Sequence, residues 1–432
     1  MSRAKLLILI GGGALLFLLL LIVVIAMFSS RGTAPSLPTE KVTLQFWGLF
    51  DDNDVYQPII DAYQKLHPNV TIEYRKFLWD DYESSLINAL AARRGPDILM
   101  VHNSWLPKHA DKLAPAPQTV SSAYEAGFLH ATRRDVTSGG KLYVLPLFID
   151  NLALFYNRDI LAQEGFSNPP LTWGQFKEYV NALKRFSPDG ILTRSGAALG
   201  SSSKSINRAS DILLFLFFQN GVQPLNPQTR TVPWKADPQA LDRAKNALLF
   251  YTSFADPSQQ VYTWNDKQLY SIDAFFSGKV AMMFNYAYNI PVIKSKAPYL
   301  NFGVASLPVK EGDSYGRVTI GNYWGAGVSN ASKQQPLAWD FLQFMTSAQE
   351  YPLYIAATGR LSARVDALEK QKDDPLFKPF IDQSDFMVTP YQQDERKMQD
   401  IFDEMITSVN ARIASPEQAL RKAQDRLELL VQ

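Results

Sequence analysis

The stretch Gly140-Lys-Leu-Tyr-Val-Leu-Pro-Leu-Phe-Ile-Asp-Asn-Leu-Ala-Leu-Phe-Tyr-Asn-Arg-Asp-Ile-Leu161, followed by Pro169-Pro170-Leu171-Thr172-Trp173, decides how this chain is read. Gly139-Gly140 is a turn signal, and Leu142 to Leu145 is a short apolar run that Pro146 stops. Leu152 to Tyr156 is a second run, rich in aromatics and long enough for one strand. Asn157-Arg158-Asp159 opens a short helix, Ile160 to Glu164, closed by Gly165. Thr172 is a good N-cap for a helix whose Trp173, Phe176, Val180 and Leu183 share one face.

Upstream, the pattern is an alternation of strand and helix. Val42, Leu44 and Phe46 alternate with polar residues, Pro58 to Leu66 reads as a helix, and Val70 to Tyr74 alternates again. Asp80 to Ala92 carries a helical stripe of Leu86, Ile87 and Leu90, and Ile98 to Val101 reads as a buried strand. A β-α-β-α-β order implies a parallel sheet with right-handed crossovers. In such sheets ligands bind beyond the carboxyl ends of the strands. Three of the eight tryptophans, Trp47, Trp79 and Trp105, follow three successive strands, the last of them in Asn103-Ser104-Trp105. Aromatic faces with a few polar groups suit a sugar, whose C–H faces stack on rings while its hydroxyls need hydrogen bonds.

Further on, Arg208 to Gln219 holds a dense apolar run, too short for a membrane span and so a core helix. Pro238 to Phe254 is an amphipathic helix. Asp273 to Met283 reads as helix, Gly278 cap and strand, and Phe302 to Ala305 as a strand. Ala338 to Thr346 is a core helix, and helices near Asp394 to Asn410 and Pro416 to Leu430 complete the chain.

The ordered set Gly-Lys-x-Tyr-x-x-Pro, a polar pair, Leu-x-x-Tyr-Asn-Arg-Asp and Pro-x-Thr-Trp resembles the extracellular solute-binding proteins of ABC importers. The sugar and oligosaccharide receptors of the maltose-binding type are the nearest in pattern. Thr358-Gly359-Arg360-Leu361-Ser362-Ala363-Arg364 extends the resemblance, with Ser362 where proline is usual. It covers roughly residues 42–364. The resemblance implies an α/β, two-lobed periplasmic-binding-protein-like fold of type II. One lobe is expected from residues 41–148 plus 325–360, the other from 149–322 plus 363–432. It further implies a sugar or other small solute as ligand, ABC permease subunits as partners, and a monomeric receptor without cofactor.

The resemblance also nominates residues. Asp51 lies where such receptors place a sugar-binding carboxylate, and Asp150 matches a second one. Tyr288 falls where a tryptophan often stacks on sugar. At Ser104 and Trp105 the maltose type carries an Asp-Arg pair, so this chain departs from maltodextrin recognition there. With Trp47, Trp79, Asn103, Trp324 at an expected return crossing between lobes, and Arg360, these make the candidate ligand set. Tyr156 and Asn157 are better read as core packing and a helix cap. Trp173, Trp234, Trp264 and Trp339 are read as structural.

Other chemistry is poorly supported. Asp51, Asp52 and Asp54 superficially suggest a calcium loop, but Val55 and Tyr56 occupy positions that a ligand and a glycine would need. Four scattered histidines lack metal spacing. A glycosidase with spatially paired carboxylates is the rival from another class, and a receptor serving a signalling partner is a third reading. The net charge of +1 without a basic block argues against nucleic acid. No cysteine is present, which excludes disulfides, thiolate chemistry and a lipid-modified terminal Cys.

At the front, Leu6 to Phe28 carries no charge. At about 1.5 Å per residue it spans roughly 34 Å, enough for a hydrocarbon core of about 30 Å. Arg3 and Lys5 precede it, which keeps residues 1–5 cytoplasmic. The run exceeds the core of a cleaved signal, and no good small-x-small site follows it. An uncleaved transmembrane anchor is therefore expected, with residues 29–40 as a linker carrying Pro35 and Pro38. Gly11-Gly12-Gly13 lacks the Lys-Ser/Thr of a phosphate loop.

Overall fold

Strand propensity and burial divide this chain between two separate sheets. A computed structural model describes residues 40–312 and 317–431. The expected anchor and all but the last residue of the linker lie outside the described residues. The long strands are β1 (Val42–Leu49), β2 (Val70–Phe77), β3 (Ile98–His102), β4 (Leu152–Asn157), β5 (Leu192–Ala198), β6 (Val280–Tyr286), β7 (Phe302–Ala305) and β8 (Trp324–Ser329). The helices that matter for the site are α1 (Asn53–Leu66), α2 (Trp79–Ala91), α3 (Ala209–Gln219), α4 (Asn289–Lys296), α5 (Tyr351–Thr358) and α6 (Glu395–Asn410). The unit Thr43–Gln432 contains both sheets.

The first sheet runs β2-β1-β3-β8, with Leu113–Ala114 and Leu145–Pro146 along the far side of β8. β1 and β3 are parallel, with Phe46 opposite Ile98. β3 is buried at every residue, which is why it reads as a continuous apolar run without alternation. β8 comes from far along the chain and lies antiparallel to β3, Trp324 opposite His102. The second sheet runs β7-β4-β6-β5 and ends on Arg185–Phe186; β5 and β6 are parallel, and β4 is antiparallel to both β6 and β7.

The helix stops and starts follow local chemistry. The Asn157 side chain accepts from the Ile160 N–H at 3.0 Å, and Thr172 accepts from the Gln175 N–H at 3.2 Å. Ser415 and Gln418 form a full capping box before the last helix. α3 buries nearly all its faces, as expected of a core helix. Trp173, Trp234, Trp264 and Trp339 are all buried.

Two local expectations are corrected. α1 begins at Asn53, not at Pro58, so the proline sits inside the helix. Proline there forfeits one bond back to residue 54. The turn before it is braced by the Asn53 amide donating to Gln57 at 2.9 Å, and Asp54 suits the positive helix end. The run Leu142 to Leu145 is not one strand. Lys141–Leu142 closes a hairpin over Gly139-Gly140, both at positive φ, while Leu145–Pro146 pairs with β8. That second pairing requires Gly325, because a Cβ there would stand 2.4 Å from Val144 Cγ1 and 2.6 Å from the Leu145 carbonyl oxygen.

Three segments of chain cross between the sheets. Ile149 bridges Leu361, Asn151 bridges Gly321, and the Asn322 N–H donates to the Asp150 carbonyl at 3.0 Å. The crossings meet side by side, and this places the residues flanking them at the mouth of one cleft.

Candidate functional site

The cleft at the crossings is lined by Phe50, Trp79, Phe148, Asp150, Arg208, Tyr288, Pro291, Asn322, Trp324, Thr358, Gly359 and Arg360. Its volume is about 510 Å³, within the size range of small-molecule sites. One wall comes from the first sheet. Phe50 follows β1, Trp79 opens α2, and Trp324 opens β8. The Phe50 and Trp79 rings stack at 6.0 Å, and Trp324 meets both edge-on at 5.8 and 5.5 Å. Phe50 and Trp79 are 42% and 43% exposed and leave ring surface to the cleft, with the Arg360 guanidinium 5.6 Å from the Phe50 ring, whereas Trp324 is 3% exposed and forms the floor. Trp105 lies behind it, 5.1 Å away edge-on.

The opposite wall comes from the second sheet. Tyr288, at the start of α4, is 37% exposed and stacks on Tyr286 at 6.1 Å. Arg208 lies over both rings, at 5.2 Å from Tyr286 and 5.6 Å from Tyr288, and its Nε donates to the Tyr288 hydroxyl at 3.3 Å. Arg208 and Phe50 share an unusual feature: both adopt left-handed backbone angles, φ 63° and 67°, without being glycine. Such strain collects at functional sites.

The two aspartates nominated from sequence are occupied by the protein itself. Asp51 is buried and takes both terminal nitrogens of Arg360, each at 2.7 Å. It also accepts from the Tyr56 and Tyr354 hydroxyls at 3.2 and 3.1 Å. Asp51 does not line the cleft; it aims Arg360, whose guanidinium lies 4.4 Å from the Phe148 ring. Asp150 does line the cleft, but its oxygens accept from the backbone N–H groups of Asn151 and Ala287 at 2.8 Å each and of Tyr288 at 3.0 Å. Burial pushes its carboxyl up to about 7, against the pull of those three N–H groups and of Arg208.

Trp79, Asp150, Tyr288, Trp324 and Arg360 are thus brought together, while the other five nominees stand elsewhere. Trp47 packs on Phe77 at 4.5 Å beneath the Arg75 guanidinium, away from the cleft. Asn103 donates to Thr389 at 2.8 Å, inside a network with Asp135 and Tyr323 whose role is to join parts of the chain far apart in sequence. Ser104 bonds His102 at 2.7 Å. Asp51 and Trp105 support cleft residues from behind. Sequence reading missed Phe50, Phe148, Arg208 and Asn322. Phe50 adjoins Asp51, and Phe148 and Asn322 lie two residues before Asp150 and Trp324, but nothing in the pattern around Arg208 separates it from an ordinary helix start.

Among the described residues, no group of three His, Asp or Glu side chains is placed to hold a metal ion. The acidic turn after β1 is spent on Arg360 and, through Asp52, on Lys76 at 2.9 Å.

Two α/β lobes, joined by adjacent crossings with an aromatic cleft at the junction, define a ligand-capturing receptor of the periplasmic-binding type. The chain belongs to the bacterial extracellular solute-binding protein family, whose model matches residues 48–352. Members of this family bind solutes for ABC transporters and are not enzymes. A maltotriose-binding protein of Pyrococcus abyssi is 24% identical over 304 residues, 68% of this chain and 60% of that protein. A cyclo/maltodextrin-binding protein solved with maltotetraose superposes with a TM-score of 0.75 at 22% identity, covering 92% of this chain and 99% of the other. The acarbose-binding GacH receptor of Streptomyces glaucescens gives 0.70 at 22% identity, covering 90% and 98%. At these identities the structural matches establish the fold.

Proposed function

We propose that this chain is a membrane-tethered extracytoplasmic receptor that captures a sugar or oligosaccharide in the cleft and delivers it to an ABC permease. The observation that carries the sugar reading is the cleft lining. Phe50 and Trp79 above the Trp324 floor on one side and Tyr288 on the other offer ring surface, and Arg208, Arg360 and Asn322 offer polar edges. Rings bury the C–H faces of a pyranose, and the polar edges meet its oxygens. Fold relatives solved with maltotetraose and with mannobiose bound point the same way.

The lobes are assigned to residues 41–148 plus 325–360 and to 149–322 plus 363–432. A ligand touching both would favour a closed form through contacts that an open form lacks, and periplasmic binding proteins respond to their ligands by such hinge closure. Trp79, Tyr288, Trp324 and Arg360 are assigned to direct contact, together with Phe50, Arg208 and Asn322. A thermal-shift screen of the full-length chain against neutral and acidic sugars, with amino acids and polyamines as controls, tests the assignment. Ligand at about 100 times its Kd adds about 2.7 kcal/mol. A shift given only by the non-carbohydrates would refute it.

The tether rests on the uncharged run Leu6 to Phe28. Among the described residues no helix is long and apolar enough to cross a membrane, so residues 6–28 are the segment assigned to it. Mass spectrometry of the chain extracted from native membranes should find those residues still attached. A mature terminus near Pro35 would mean a freely diffusing receptor.

A further inference from the structure

The polar groups facing the cleft are unbalanced. Neutral sugar hydroxyls both donate and accept, so a site for them needs acceptors as well as donors. The acceptors here are largely used. Asp51 is turned away onto Arg360 and two tyrosines. Asp150 takes three backbone N–H groups. The Asn322 side-chain oxygen faces His102 Nε2 at 3.3 Å. The donors are less used. Arg208 spends Nε on Tyr288, and its Nη1 stands 3.8 Å from Asp211, beyond hydrogen-bond distance, because Asp211 takes the Tyr286 hydroxyl at 2.8 Å. The indole N–H groups of Trp79 and Trp324 and the side-chain N–H groups of Asn322 line the cleft with no protein acceptor among the described residues.

From this surplus of donors around Arg208 we infer that the ligand is an acidic sugar, carrying a carboxylate, phosphate or sulfate that seats on the Arg208 guanidinium. The inference rests on the sugar reading above and deepens it. A guanidinium binds such groups through two parallel N–H bonds. Arg208 is held for this by the Tyr286 and Tyr288 rings and by a left-handed backbone that a non-glycine residue adopts at a cost. The acidic neighbours are Asp150 and Asp211. Asp150 is turned onto three backbone N–H groups and Asp211 onto the Tyr286 hydroxyl, so neither carboxylate occupies the Arg208 edge that faces the cleft.

Calorimetric titration of the full-length chain tests this with matched probes: mannobiose and digalactose as neutral sugars, digalacturonate as carboxylate, and glucose 6-phosphate and 6-sulfate against glucose. The expected result is that at least one acidic probe binds about ten- to a hundredfold tighter than its neutral counterpart, the gain of one charge-assisted contact, and that added salt narrows the gap. Arg208→Gly, which suits the left-handed backbone but gives up the pairing with Asp211 and so lowers the melting temperature, is expected to bring the ratio to about one in the folded protein. Neutral probes binding as well as or better than the acidic ones would overturn the anion inference and leave the sugar reading standing. Acidic probes preferred equally by Arg208→Gly would overturn the role of Arg208. Binding of amino acids or polyamines with no sugar bound would overturn both readings.

Discussion

Asp51→Ala separates a structural role for this carboxylate from a ligand-binding one. Four hydrogen bonds converge on Asp51: two from Arg360 at 2.7 Å and one each from Tyr56 and Tyr354. The pair is largely buried, with side-chain exposures of 6% for Asp51 and 16% for Arg360. Removing one partner of a buried ion pair costs about 3–5 kcal/mol, because the remaining charge is left uncompensated. Here Arg360 keeps one bond, from Nη1 to the Tyr354 hydroxyl at 2.7 Å, and retains some solvent, so the lower end of that range, about 3 kcal/mol, is expected. Arg360→Ala should cost a similar amount. The double variant should cost less than the sum, by about 1–3 kcal/mol, since each residue exists to satisfy the other. Urea melts with unchanged slope provide the measurement. Binding should weaken only through the misplaced Arg360. A stability loss below about 1 kcal/mol with ligand binding abolished would refute the reasoning and return Asp51 to the ligand.

Trp79→Ala and Tyr288→Ala should each weaken binding by about tenfold, through lost ring contact, while changing stability by less than about 1 kcal/mol; titration calorimetry and melts check the two halves. Trp324→Ala should harm both, since that ring is at once cleft floor and hub of the aromatic cluster. Trp339→Ala should cost about 3–5 kcal/mol with affinity retained in the folded fraction, because it empties a core site. Asp150 has a pH signature. Its folded pKa of about 7 lies above the ordinary 3.8, so its contribution to stability is complete below about pH 4 and is lost as pH rises toward 7. Asp150→Asn should flatten the pH dependence of the melting temperature across that window, and an unchanged slope would place the titration elsewhere.

The sequence by itself determined the elements and the class of architecture. Period-2 and helical spacing, caps at Asn157 and Thr172, and turns at Gly139-Gly140, Gly165 and Gly278 are local chemistry, and local chemistry does not depend on what a residue later meets. The β-α-β order likewise carried the parallel pairing of β1 with β3 and pointed to the strand ends as the site. The α1 boundary escaped because proline's preference for a first turn is weaker than the packing that holds Asn53 to Leu66 together. Tertiary structure alone decided which side chains face the ligand. Trp47, Asn103 and Ser104 are of suitable chemistry and near the right strand ends, yet each is aimed at protein partners. Asp51 is claimed by Arg360 from 309 positions away, a pairing no local pattern encodes. Arg208 enters the cleft only because a left-handed turn before α3 lays it across two tyrosines from β6 and the start of α4. Side-chain direction at such places depends on contacts that exist only once the crossing segments have met.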